Sequence, residues 1–295
     1  MLINLRDACA IAEQTNIALA AVNTPSLEAM RAAVEAAEET GYPIIISHAE
    51  GHESLMPLAV AGSLGVALAE HSSALVCLHL DHCEHLSYAR RALEYGFTGV
   101  MFDGSSLPYE RNVELSQAAA EMCSSFDAGL ECELGSMGSR ECGATSQGGT
   151  AEDAGAVYTD PDQAQAFVAA TGLDILACSF GTVHGLYRGE PHLSFDVLEQ
   201  IRERVKVPLV MHGGSGVSDD DYRRAINAGI RKINYYTYGV KYAGEAVRAM
   251  IDDRVAANPN DVIYWHDMTS VAYVTLRDTF AQVMRVFASN ADSAA

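Results

Sequence analysis

The chain has 295 residues, 49% of them hydrophobic, and a formal net charge of −20. That charge repels phosphate backbones and anionic lipid, which argues against nucleic acid and membrane surfaces as partners, and no apolar run approaches the roughly 20 residues of a membrane-spanning helix. Seven cysteines, odd in number and without a Cys-x-x-Cys pair, argue against a disulfide framework or a thiolate zinc knuckle.

The first stretch, MLINLRDACAIAEQTN, is amphipathic and lacks the ordered regions of a secretory signal, so the expected location is the cytoplasm. Short β-branched runs then recur along the chain, each followed by a stretch with helical apolar spacing, the pattern of repeated βα units. They are residues 17–23 (IALAAVN), 43–49 (PIIISHA), 74–82 (ALVCLHLDH), 98–104 (TGVMFDG), 128–135 (AGLECELG), 174–181 (DILACSFG), 208–214 (PLVMHGG) and 232–237 (KINYYT). Eight parallel strands with intervening helices predict an α/β fold of the (β/α)8 TIM-barrel type, in one domain over 1–295. Ser26 and Ser218 stand where helices should be capped, and Gly41, Gly96, Gly172 and Gly229 where helices should stop. The rhythm breaks over residues 136–160, rich in Gly, Ser, Thr and Ala, which predicts a mobile loop beside the site.

Barrel enzymes draw their chemistry from the C-terminal ends of strands. Here those ends are polar: Asp81 and His82 after strand three, Asp103 after strand four, Glu131 and Glu133 on strand five, His184 beyond strand six and His212 after strand seven. A lone strand-end histidine is more often structural than a ligand. Three converging on one rim form a plausible open metal site, with zinc the ion that such ligands suit. His79, within strand three, and His85, at the start of the next helix, read as structural or outer-sphere residues, as do His48 and His52. The turn His212-Gly213-Gly214-Ser215-Gly216, followed by a capped helix and flanked by Asn234 to Thr237, can aim backbone N–H groups at a phosphate. A bulk charge of −20 does not forbid this, because local amides and a bound cation outweigh a distant, screened field.

The run LHLDHCEHLSYARRALEYGFTGVMFDGSSLPYERNVE resembles the strand-three to strand-four signature of class II fructose- and tagatose-bisphosphate aldolases. The likeness continues through Asn23 in AAVN, then LECELG, SFGTVHGLY, MHGGSG and KINYYT, in family order. It implies zinc on His82, His184 and His212, Asp81 as acid/base, and Asp103 and Glu133 as orienting carboxylates or an alternative metal position. Asn23, Gly181, Gly185, Gly213, Ser215, Asn234 and Thr237 then fall in the substrate and phosphate pocket, which in the family is often completed by a monovalent cation, Na+ or K+. The implied reaction is reversible cleavage of a ketose 1-phosphate or 1,6-bisphosphate to dihydroxyacetone phosphate and an aldehyde, through a zinc-stabilised enediolate, with Glu141 moving the C3 proton. The resemblance also implies a homodimer or homotetramer. No Schiff-base lysine is expected on the inner rim; the lysines are Lys206, Lys232 and Lys241.

The chain departs from the family at the loop, which reads Gly138-Ser139-Arg140-Glu141-Cys142, at Ala49, where related aldolases carry serine, and at Tyr236, where the fructose branch has Asp and the tagatose branch Ala. Those positions predict an acceptor aldehyde other than glyceraldehyde 3-phosphate. Two rival readings are a zinc hydrolase of the amidohydrolase type and a non-catalytic, regulatory barrel. The first needs a His-x-His on strand one and an Asp ending strand eight, and the second would be expected to have lost a ligand; neither condition is met.

Overall fold

The computed structural model describes residues 1–135, 158–187 and 191–290. Eight strands close into a parallel barrel in sequence order: β1 (Leu19–Asn23), β2 (Ile44–Ala49), β3 (Val76–Cys83), β4 (Gly99–Phe102), β5 (Gly129–Leu134), β6 (Ile175–Cys178), β7 (Leu209–Met211) and β8 (Ile230–Asn234). Helix α1 (Leu5–Thr15) precedes β1. The others are α2 (Leu27–Thr40), α3 (Leu58–His71), α4 (Leu86–Glu94), α5 (Tyr109–Ser125), α6 (Pro161–Thr171), α7 (Phe195–Arg204), α8 (Asp219–Asn227), α9 (Thr237–Ala257) and α10 (Trp265–Phe287).

Local chemistry explains the boundaries. Ser26 and Ser218 accept from Ala29 N and Asp221 N and so occupy orphan donors of α2 and α8. Gly41 and Gly172 end α2 and α6 with φ of +75° and +70°, a region a side chain strains to enter. Gly96 and Gly229 follow the ends of α4 and α8, also at positive φ.

The period-two alternation of the strands sorts their side chains into two cores. Outward residues such as Ala20, Val22, Ile44, Ile46, Leu78 and Val100 pack under the helices. Inward residues Leu19, Ala21, Ile45, Cys77, Ile175, Ala177 and Val210 fill the base of the barrel together with Leu5, Ala8, Cys9 and Ala12 of α1, which plugs that end. The rim end of the interior is polar instead, with His79, Asp81, Asp103, Glu131, Glu133, His212 and Lys232 all buried. The six described cysteines are buried free thiols. No described helix is long and apolar enough to cross a membrane.

Two strands depart from regular pairing. Between β3 and β4 the register moves from Leu80↔Val100 to Cys83↔Phe102, three residues against two, and His82 takes φ of +45° at this bulge. Strand eight is a correction to the sequence reading, which placed it at residues 232–237. It begins at Ile230, the register to β7 jumps from Leu209↔Ile230 to Val210↔Lys232, and Thr237 already opens α9. The charge at Arg231 mimics a turn but is absorbed: Arg231 bonds the Ile226 and Ile230 carbonyls, while Lys232, within the strand, turns into the interior.

Candidate active site

The β3 bulge breaks strict alternation, so consecutive residues Asp81 and His82 both line one cavity of about 230 Å³ at the rim. His82 Nδ1 lies 2.8 Å from Asp103 Oδ2, whose other oxygen accepts from the Ser105 hydroxyl at 2.7 Å. This leaves His82 Nε2 directed at His212 Nδ1, 2.9 Å away. His212 is held from behind by Glu131, Oε1 to Nε2 2.7 Å. His184 has both ring nitrogens buried and without a hydrogen-bond partner. The three rings stand nearly perpendicular to one another, at 78°, 83° and 88°. They offer three nitrogens all within 4.8 Å of each other. Buried imidazoles with orphaned nitrogens are costly unless a ligand satisfies them, and three nitrogens converging with a cavity alongside fit an open zinc site. A second set, His82, Asp103 and Glu133, meets the same spacing.

The electrostatics separate the carboxylates. Burial alone would raise Asp81, but His82, Lys232 and His212 overcome it and hold Asp81 ionised, well below the usual carboxylate range. Asn23 Nδ2 donates to Asp81 Oδ2 at 2.9 Å and Asn234 Nδ2 to Oδ1 at 3.1 Å, fixing the carboxylate plane. Glu133 goes the other way, raised by burial and by Asp103. Burial, then the neighbouring His82 and His212, push His184 well down, so it stays neutral and able to donate a lone pair.

Beside this centre lie the glycine-rich turns. Gly213, at φ +62°, sits so close to the Val183 carbonyl that a Cβ would come within 2.3 Å of that oxygen. Tyr187 staples the same two loops: its hydroxyl accepts from Val183 N at 3.1 Å and donates to the Gly213 carbonyl at 2.9 Å. Ser215 Oγ accepts from Tyr236 N at 3.0 Å, joining the β7 turn to the start of α9 at Thr237. Gly181 and Gly185, both at positive φ, belong to the loop that carries His184.

The structure thus brings Asn23, Asp81, His82, His184 and Asn234 onto one cavity wall, with His212 directly behind. Glu141 and most of the predicted loop lie outside the described residues. Sequence reasoning missed Glu50, Gly51 and Glu84, which line the cavity with Ala49 and His85; His85 stands at the N-cap just before α4 and turns to Glu50, Nδ1 to Oε1 2.9 Å. It also missed Tyr187, whose position in a loop carries no signal of the staple. Where the sequence reading expected no Schiff-base lysine on the inner rim, one lysine does lie inside the barrel: Lys232 is fully buried and paired with Glu131 Oε2 at 2.9 Å. The alternation Lys232-Ile233-Asn234 could have shown this, since Asn234 had already been placed inward.

Residues 3–292 match the family model described as class-II fructose-bisphosphate aldolase. The chain is 38% identical over 247 residues to the D-tagatose-1,6-bisphosphate aldolase subunit GatY of Klebsiella oxytoca, covering 84% of this chain and 85% of the relative. Among solved structures, the YdjI aldolase of Escherichia coli K12 superposes with a TM-score of 0.83 at 28% identity, covering 97% of each chain. The fructose-bisphosphate aldolase of Campylobacter jejuni shares the fold, with a TM-score of 0.81 at 21% identity, over 97% of this chain and 95% of that one.

Proposed function

The chain belongs to the class II fructose-bisphosphate aldolase family, whose members are zinc-dependent carbon–carbon lyases of carbohydrate metabolism, and from that premise we propose how its own residues divide the work. The observation that carries the reading is Asp81, held by two side-chain amides, beside three histidines whose nitrogens lie within 4.8 Å of one another at the cavity. His82, His184 and His212 are the residues that would hold one zinc ion. When bound, zinc supplies Lewis acidity to the C2 carbonyl of a ketose 1-phosphate.

Asp81 takes the proton of the C4 hydroxyl as the C3–C4 bond breaks, and returns it in the condensation direction. The two amides on Asp81 keep its carboxylate aimed into the cavity. Asp103 fixes the tautomer of His82, and Glu133 offers an alternative metal contact. Gly181, Gly185, Gly213, Ser215, Asn234 and Thr237 receive the phosphate of the dihydroxyacetone phosphate half, with a monovalent cation alongside. Glu141, outside the described residues, moves the C3 proton. The working unit is a homodimer or homotetramer in the cytoplasm; the six described cysteines, buried and unpaired, fit a reducing compartment.

The aldehyde half lies against Ala49, Glu50, Gly51, Glu84 and His85. Among the described lining residues there are carboxylates and no lysine or arginine, which favours an acceptor other than glyceraldehyde 3-phosphate, hydroxylated and without a second phosphate. The test is metal analysis of purified protein, paired with cleavage of fructose and tagatose 1,6-bisphosphates and several ketose 1-phosphates before and after chelation. About one zinc per chain and chelation-sensitive release of dihydroxyacetone phosphate are expected. A clear preference for fructose 1,6-bisphosphate would sink the acceptor assignment, and absence of metal would sink the site. In the same assay Asp81→Asn is expected to lower kcat by about 10²–10⁴-fold with metal content unchanged.

A further inference from the structure

Lys232 has so far entered only as a charge that helps hold Asp81 ionised, yet it is completely buried on the inner face of β8. Burying an ammonium and its carboxylate partner carries a large loss of solvation, roughly offset by their attraction, and apolar side chains of similar volume would commonly serve stability as well or better. The arrangement around it points to a different use. Its Nζ lies 2.9 Å from Glu131 Oε2 and donates to Asn234 Oδ1 at 2.8 Å. Each partner hands the order on: Glu131 Oε1 meets His212 Nε2 at 2.7 Å, and Asn234 Nδ2 meets Asp81 Oδ1 at 3.1 Å.

Both partners have an ambiguity that the lysine removes. The two ends of an asparagine amide are nearly the same shape, so packing alone does not orient it. With Oδ1 fixed on an ammonium, which only donates, Nδ2 must face the Asp81 carboxylate, which only accepts; the flipped amide would set oxygen against oxygen and N–H against N–H. Imidazole is ambiguous in the same sense. With Glu131 held by Lys232 as an ionised acceptor, the His212 hydrogen belongs on Nε2, and the Nδ1 lone pair is left facing His82 Nε2 at 2.9 Å.

We propose that Lys232 is a positioning residue that sets both limbs of the site at once, the ligand tautomer of His212 through Glu131 and the amide orientation of Asn234 at Asp81. The inference rests on the assignment of His212 to the metal and of Asp81 to proton transfer.

The test uses Lys232→Met in the full-length protein, read by metal affinity in chelator competition, by the visible absorption of the cobalt-substituted protein, and by kcat and KM at saturating metal. Expected are metal binding weakened about 10- to 100-fold, a shifted cobalt band, and a fall in kcat with KM little moved. Wild-type metal affinity, cobalt band and kcat, with only a lower melting temperature, would overturn the proposal and leave Lys232 a packing residue. If the single variant does not fold, Lys232→Gln keeps a polar side chain at that buried position without the fixed ammonium donor, leaves Glu131 in place, and the same three readouts decide in the same direction. His212→Ala separates the two levels. If it keeps wild-type metal affinity, the metal assignment fails and the proposal with it; if it loses metal while Lys232→Met does not, only the lysine's role fails.

Discussion

At the scale of single residues, burial decides which groups carry charge. His48 is 1% exposed, and its Nε2 lies 3.3 Å from the Tyr88 hydroxyl, which donates to Glu53 Oε2 at 2.6 Å. Burial, and then His52, push His48 down to about 4, with Glu53 pulling weakly the other way. The folded-state value is therefore depressed below that of the unfolded chain, so the folded state binds fewer protons in between. Stability from this group is present above pH 6.5 and is lost as pH falls toward 4, up to about 3 kcal/mol in total. His48→Gln is expected to flatten the melting temperature across that window, measured on chelated protein; a slope as steep as wild type would assign the effect to other groups. The same scale shows what was legible. Asp81, His82, His184 and His212 could be picked out because strand ends in this architecture carry chemistry, and the structure gathers all four. Their supports, Asn234 on Asp81 and Glu131 on His212, depend on which way a side chain hands on a hydrogen bond, and no spacing in the sequence encodes that.

At the scale of elements, the eight strands were legible because short, near-continuous apolar runs mark strands that are buried on both faces. Strand eight was displaced because Arg231 near its start resembles a loop residue and two tyrosines after its end resemble a strand. The tyrosines belong instead to the turn into α9, where Tyr235 is buried and the ring of Tyr236 lies 5.3 Å from that of His52. The loops after β6 and β7 are held in mutual register by the Tyr187 hydroxyl, which connects the chain just before His184 to that just after His212. Tyr187→Phe keeps the ring and deletes the staple. It is expected to cost about 1–2 kcal/mol in denaturant unfolding and to weaken metal binding several-fold in chelator competition. Loss of stability with metal affinity intact would show that each loop holds its ligand without help from the other.

For the whole molecule, the barrel has two ends with different duties. Leu5 of α1 is fully buried at the closed end, against the backbone of Gly99 and Gly129, where an added Cβ at either glycine would come within 2.9 Å of the Leu5 Cβ. Leu5→Ala is expected to cost about 2–5 kcal/mol of stability by leaving a cavity, while kcat per folded molecule and metal content stay at wild-type values. A parallel fall in kcat below the unfolding temperature would mean that the plug and the rim are coupled. Ring closure gives the β3 bulge a consequence beyond its own strand. Every strand is pinned on both sides, so the extra residue after Leu80 cannot be taken up by sliding a neighbour. The change of phase is confined to the last rung. Below it, side chains keep the beat that packing demands; above it, Asp81 and His82 share one face. One added residue thus sets two neighbouring polar side chains toward the same open space while the apolar layers beneath stay in step.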